Sequence, residues 1–214
     1  TNLELVRLSA NNLTKLDDWL LELPKLAWLA FAGNEFNKAQ CLTKSTLKNT
    51  PLENFQLKKV IGQGASGVIH LAKAKHSNVA VKLFKGAITS DGYPLDEVNC
   101  CLKAANHTNL INVLSYIEQS TQLGLVMELI DTNYTNLGLP PSLETCTRDT
   151  FNDGCNYPIE AVYKIAKQMA NTLTHLHDNY VSHGDIYAHN TMINEQYDVL
   201  FGDFGAATNL AMLS

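Results

Sequence analysis

The run His183-Gly184-Asp185-Ile186-Tyr187-Ala188-His189-Asn190, followed downstream by Asp203-Phe204-Gly205, decides how the rest of the chain is read. Asp185 and Asn190 lie five positions apart, and Asp185 and Asp203 lie eighteen apart. Two carboxylates and a carboxamide are hard oxygen ligands and proton acceptors, the groups that Mg²⁺ and a transferred phosphoryl group require. Each fragment alone is common in proteins. Their order behind three further motifs makes the set specific.

The first of those motifs is Gly62-Gln63-Gly64-Ala65-Ser66-Gly67-Val68-Ile69. Glycines let backbone N–H groups approach phosphate oxygens with no Cβ in the way. A dinucleotide fold would need a helix directly after the glycines. Here Val68-Ile69-His70-Leu71-Ala72 continues as a strand, so the spacing predicts a glycine-rich hairpin laid over a nucleotide. The second motif is Val79-Ala80-Val81-Lys82. With strand period 2, Ala80 and Lys82 share one face, and Val79, Val81 and Leu83 share the other. A small side chain beside a lysine leaves room for a base while the ammonium reaches phosphates. The third is Glu97, placed to pair with Lys82. Its neighbour Asp96 is the alternative partner if the helix register differs.

Composition in this part of the chain predicts strands near 55–61, 68–73, 79–84, 113–117 and 123–129. A helix is expected over 96–105, with Val98, Cys101, Leu102 and Ala105 at helical spacing. Residues 131–157 read as loop. A second helix over 159–177 places Val162, Ile165, Met169, Leu173 and Leu176 on one face, and short strands near 191–193 and 198–201 flank a polar turn. Strands, then helices, split by a loop-rich hinge, predict a two-lobed α+β arrangement.

From Phe55 onward the chain resembles a eukaryotic-type protein kinase domain, whose motif set these residues match in order. The resemblance implies a complete β-rich small lobe and the start of a helical large lobe over 55–214. It implies ATP and Mg²⁺ as cofactors. Ile61, Gly62, Gln63, Gly64, Ala65, Ser66, Gly67, Ile69 and Ala80 would line the nucleotide site, and Lys82 would contact the phosphates with Glu97 as partner. Met127 would stand at the back of the cleft, Glu128, Leu129 and Ile130 would bind adenine through backbone groups, and Met192 would pack beneath it. Asp185 would orient and deprotonate the acceptor hydroxyl, while Asn190 and Asp203 would hold the metal. The implied reaction is transfer of the γ-phosphoryl group of Mg-ATP to a Ser/Thr hydroxyl of a protein. Two positions depart from the family pattern: Gly184 stands where an arginine is usual, and Tyr187 where serine/threonine enzymes carry a lysine. They leave a nucleotide-binding pseudokinase as an alternative. The spelling H-G-D-x-x-x-x-N, shared with aminoglycoside and choline kinases, leaves a small-molecule phosphotransferase as another.

The first 39 residues follow a different rule. Leu3, Val6, Leu8, Asn11 and Leu13 fit L-x-x-L-x-L-x-x-N-x-L, and Leu26, Leu29, Phe31, Asn34 and Phe36 fit it again 23 residues later. That period lies in the leucine-rich-repeat range. The leucines would form short strands facing a solenoid core, and each asparagine would bond backbone groups where the chain turns. Residues 40–54 are polar, reach Pro51, and read as a linker. The arrangement, with no membrane crossing between its parts, is similar to bacterial soluble leucine-rich-repeat kinases. The repeats are expected to bind a protein. The chain opens and closes in mid-pattern, so it is expected to be a fragment that leaves the apolar face of 159–177 uncovered.

Composition narrows the remaining classes. The 214 residues include 45% hydrophobic and 17% charged side chains, with a net charge of −5. This is a globular composition, and its acidic balance argues against nucleic acid or an anionic membrane as partner. No apolar run approaches the roughly 20 residues of a membrane span. The five cysteines are odd in number and lack metal-type pairing, which points to reduced thiols and a cytoplasmic location.

Overall fold

The computed structural model describes residues 2–86, 88 and 92–212, with the Met212 side chain left aside. The expected end points at Thr1 and Ser214 lie outside the described residues. At the N-terminus, β1 (Leu5–Arg7) and β2 (Trp28–Ala30) pair in parallel. Their register matches Leu5 to Trp28, Val6 to Leu29 and Arg7 to Ala30, the same 23-residue offset as in the sequence pattern. Asn34, wholly buried, joins the two turns. Its Nδ2 donates to the carbonyls of Leu8 at 2.8 Å and Phe31 at 2.7 Å, while its Oδ1 accepts from the N–H groups of Asn11 at 2.9 Å and Leu13 at 3.1 Å. One short amide side chain thus satisfies four backbone groups that the parallel pair leaves open.

The central unit is a five-stranded antiparallel sheet of β3 (Gln56–Gln63), β4 (Gly67–Lys73), β5 (Asn78–Phe84), β6 (Val113–Gln119) and β7 (Gln122–Glu128). The strand order is β3-β4-β5-β7-β6, so α1 (Pro94–Ala104) leaves β5 and the chain returns at the far edge. Strand alternation sorts the two faces as expected. Val79 and Val81 pack with Ala72, Ile117 and Val126 on the face covered by Leu52, Phe55 and Leu57. Ala80 and Lys82 point to the other.

Residues 40–54, read as polar in sequence, run against this unit. Thr50 donates its N–H to the Tyr116 carbonyl at 2.8 Å, and Tyr116 donates to the Lys48 carbonyl at 3.1 Å. The Asn49 amide exchanges both of its bonds with the Glu118 backbone. The stretch therefore extends the β6 edge, which its polar side chains do not advertise.

The rest is smaller. The strands β8 (Thr135–Asn136), β10 (Thr191–Ile193) and β11 (Val199–Phe201) form one sheet in the order β11-β10-β8. The strands β9 (Val181–Ser182) and β12 (Thr208–Asn209) pair separately. The helix α2 (Ile159–Asp178) carries Ala161, Ile165, Thr172 and Leu176 as its buried stripe. That corrects the expected stripe at its N-terminal end. Val162 is exposed together with Ile159 and Tyr163, while Ala161 is buried. The main core joins both lobes: Val98, Cys101 and Leu102 of α1 meet Leu125, Phe201, Phe204, Ile165 and Leu176.

Candidate functional site

A cavity of about 480 Å³ lies between the five-stranded sheet and the segments that follow α2. The glycine run forms its roof. Ile61, Gln63, Gly64, Ala65, Ser66, Gly67 and Ile69 line it, as do Ala80, Lys82 and Glu97, and then Met127, Glu128, Ile130 and Met192. Gly62 is the one member of the expected nucleotide set outside the lining. The hairpin turn is tight: Gly64 donates its N–H to the Gly67 carbonyl at 3.0 Å. A Cβ at Gly67 would stand 2.6 Å from the Leu83 carbonyl oxygen, so a side chain there would push β4 off β5. A Cβ at Gly64 would meet nothing within 4 Å, so that glycine keeps backbone open to the cavity.

Lys82 projects from the middle of β5 into this cavity and forms an ion pair with Glu97 of α1. Both side chains are buried. The Asp203 carboxylate approaches the same ammonium at 4.0 Å and is itself largely exposed. Burial pushes the Lys82 pKa down, but the Glu97 and Asp203 charges outweigh it and hold the value above 10.5, so the ammonium stays charged. Burial drives the Glu97 pKa above 4.5 against the opposing pull of Lys82. Asp96, the alternative partner, points elsewhere: its Oδ1 accepts the Ala39 N–H at 2.6 Å. The helix register therefore presents Glu97 to Lys82.

Asp185 and Asn190 come together in a second group. Asn190 donates its Nδ2 to the Asp185 carboxylate at 2.8 Å and to the Asp185 carbonyl at 3.1 Å. Asp185 and Tyr187 line a different cavity, of about 200 Å³, together with Arg148, Asp149 and Trp28. Neither Asp185 nor Asn190 lines the larger cavity. The two groups are joined by His183 and Phe204. The wholly buried His183 donates Nε2–H to the Gly202 carbonyl at 2.9 Å, and its ring lies 5.1 Å from that of Phe204. Burial lowers the His183 pKa, although the bond to Gly202 and the Asp203 charge oppose this.

Gly184 has a physical reason in this fold. Its φ is +78°, and a Cβ there would lie 2.3 Å from the Ala206 carbonyl oxygen. An arginine at this position would meet both the backbone strain and the overlap.

Sequence reasoning missed several lining residues. Leu125 stands two before Met127 on the same face of β7, and Cys101 stands one helical turn after Glu97, so periodicity could have found both. Phe204 and Gly205 line the cavity as part of the motif that begins at Asp203, whereas Ile111, Val113, Asp131 and Gly202 line it from loops and strand ends, where spacing carries no signal.

The residues present fit the nucleotide and metal that the resemblance implies. Ile61, Ala80, Leu125 and Met127 give the cavity apolar walls, and Lys82 with Asp203 gives it charge. The Asp203 carboxylate in this cavity is a hard oxygen donor of the kind Mg²⁺ takes, and Asn190 lies outside the cavity lining, bonded to Asp185. Among the described residues, no cluster of three or more His, Cys, Asp or Glu is arranged to hold a metal by protein groups alone. No described helix is long and apolar enough to cross a membrane.

Comparison with known proteins agrees with this geometry. Residues 55–213 match the protein kinase domain family. The chain is 29% identical over 165 residues to the serine/threonine-protein kinase PITSLRE of Drosophila melanogaster, a match covering 73% of this chain and 16% of that protein. It is 30% identical over 147 residues to the serine/threonine-protein kinase shk1/pak1 of Schizosaccharomyces pombe, covering 68% and 20%. To Aurora/IPL1-related protein kinase 2 of Caenorhabditis elegans it is 28% identical over 159 residues, covering 72% and 48%. The chain thus spans less than half the length of each of these relatives. With a buried lysine–glutamate pair under a glycine hairpin, and a kinase-domain match over most of its length, the chain belongs to the protein kinase family.

Proposed function

We propose that this chain is the nucleotide-binding and catalytic-loop part of a serine/threonine-directed protein kinase. The observation that carries the reading is the Lys82–Glu97 ion pair, with Asp203 beside it, on the wall of a cavity large enough for a nucleotide. Lys82, fixed by Glu97, would bind phosphate oxygens of ATP. The apolar walls at Ile61, Ala80 and Met127 would hold the base, with backbone groups of 128–130 at its edge. Asp203 and the Asn190 carbonyl oxygen would hold Mg²⁺, which when bound neutralises the charge that builds up on the phosphates. Asp185, steadied by Asn190, would accept the proton of a serine or threonine hydroxyl. The new bond forms between that oxygen and the γ-phosphorus, the bond to the β-phosphate oxygen breaks, and ADP leaves with the electron pair. Preorganised charge supplies most of the rate in such a site.

The N-terminal strand pair fits a leucine-rich-repeat reading, since its 23-residue register and the Asn34 bonds are what that pattern requires. Its role would be to recognise a protein. The five cysteines, all unpaired, fit a reducing cytoplasmic setting.

A second reading is a nucleotide-binding protein without transfer. It is favoured by the separation of Asp185 from the larger cavity. One experiment separates the two: transfer of ³²P from γ-labelled ATP to a generic protein acceptor by wild type, Asp185→Asn and Lys82→Met. Transfer by wild type alone supports the kinase. Saturable Mg-ATP binding with no transfer by any of the three supports the second reading.

A further inference from the structure

The helix α1 has no solvent face of the usual kind. Its inner side, with Glu97, Val98 and Cys101, meets the cavity and the core. Asp96, Asn99, Cys100 and Lys103 follow one another along its outer side at helical spacing, and Asp96, Asn99 and Cys100 are buried as well. What covers them is the N-terminal stretch together with residues 207–209. The Asp96 carboxylate accepts the Ala39 N–H at 2.6 Å. The Asn99 side chain accepts the Thr43 N–H at 2.6 Å and donates to the Cys41 carbonyl at 3.0 Å. One turn further on, Lys103 donates to Asn209 Oδ1 at 2.5 Å. Just before the helix, the Tyr93 ring lies over Gly33, so close that a Cβ there would stand 2.6 Å from it. A Cβ at Gly92 would stand 3.0 Å from that of Ala32. Beyond residue 43 the same stretch is pinned to the β6 edge by Lys48, Asn49 and Thr50. Residues 32–50 thus grip the helix and the sheet at once.

Side chains that bond backbone across 56 to 58 residues of sequence are specific in a way that apolar packing is not. They set where α1 sits along its axis and how it is rotated, and Glu97 lies between the two that do so. We propose that Asp96 and Asn99 are positioning residues, which tie α1 to residues 39–43 so that Glu97 stays on Lys82. On this view the stretch 32–50 is a built-in brace of the nucleotide site. The proposal rests on the reading of that site as the ATP site and extends it to how the site is held.

The test uses the full chain and the variants Asn99→Leu, which removes both bonds at similar volume, and Asn99→Asp, which keeps the acceptor for the Thr43 N–H. Hydrogen exchange along α1 and Mg-ATP affinity are measured for each, with Lys82→Met as the control for the site itself. Breaking the buried bonds is expected to speed exchange of the α1 amides and weaken Mg-ATP binding by roughly tenfold, with β3–β7 amides unchanged. Asn99→Asp should recover at most part of both effects, since a carboxylate oxygen would replace the donor that faces the Cys41 carbonyl at 3.0 Å. Asn99→Leu with wild-type affinity, while Lys82→Met loses it, overturns the brace and leaves the ATP site standing. If wild type itself fails to bind Mg-ATP, the functional reading falls. The exchange data still decide the tether, since unchanged α1 exchange in Asn99→Leu also overturns it.

Discussion

Replacing Gly184 by alanine tests whether the catalytic loop has the conformation described here. Two costs act at that position. A left-handed backbone at φ +78° costs an L-residue about 1–2 kcal/mol. The added Cβ would also lie 2.3 Å from the Ala206 carbonyl oxygen, and backbone must move to relieve it, at about 1–3 kcal/mol as in an overpacked core. Together these give a loss of about 2–5 kcal/mol. For a chain of this size that lowers the melting temperature by about 4–20 °C. Circular dichroism melts and urea titrations of wild type and Gly184→Ala, run side by side, measure it. Gly64→Ala is the internal control, since its Cβ meets nothing within 4 Å and its cost should stay under about 1 kcal/mol. Gly184→Arg, which restores the residue usual in the family, should be destabilised at least as much as the alanine variant. A Gly184→Ala loss below about 1 kcal/mol, or a Gly184→Arg chain more stable than wild type, would refute the loop geometry.

Other expectations follow from the same geometry. Protonation of Glu97 removes the charge that faces Lys82, and burial places its pKa above 4.5, so the acid limb of the phosphoryl-transfer profile should lie above pH 4.5; a limb at or below that value contradicts the buried pair. Lys82 titrates above 10.5, so its charge is present throughout the neutral range and lost only as pH rises through that higher value; loss of activity between pH 8 and 10 that vanishes in Lys82→Arg would contradict this. Asn34→Ala removes four bonds at a wholly buried position and should cost about 2–4 kcal/mol in urea unfolding, whereas a cost under about 0.5 kcal/mol would show that the strand pair does not depend on it. Burial pushes the Cys100 thiol up to about 12 and the Cys101 thiol well above 9.0, while Cys41 and Cys155 are exposed. Iodoacetamide at pH 8 should therefore label Cys41 and Cys155 and spare Cys100 and Cys101 until the chain unfolds, as peptide mass spectrometry would record.

The parts of this fold legible in the sequence are those with a period. Alternation along 79–84 placed Ala80 and Lys82 on the cavity side and the valines on the other, because a strand has only two faces. The 23-residue spacing of Asn11 and Asn34 reappears as the β1–β2 register, because stacked turns must repeat at a constant length. What was not legible depends on contacts distant in sequence. Asp96 and Glu97 are adjacent carboxylates in one helix, and only the rotation of α1, fixed by Ala39 and Thr43, decides between them. Residues 40–54 read as a linker because their side chains are polar, yet their backbone carries the bonds to β6 and α1, and backbone bonding leaves no mark on composition. Val162 and Ala161 differ by one helical step, and the buried one is the smaller, which the helix's own apolar pattern does not encode. The placement of Asp185 in a cavity of its own likewise arises from loop geometry around Gly184, which a motif spelling does not encode.

The most direct test of the central claim is a crystal structure of this chain with Mg²⁺ and a non-hydrolysable ATP analogue. The account predicts the triphosphate beneath the hairpin of Gly64 and Gly67, an oxygen on Lys82 Nζ, the metal on Asp203, and the base against Ala80 and Met127. An analogue bound outside this cavity, or phosphates turned away from Lys82 and Asp203, would contradict it.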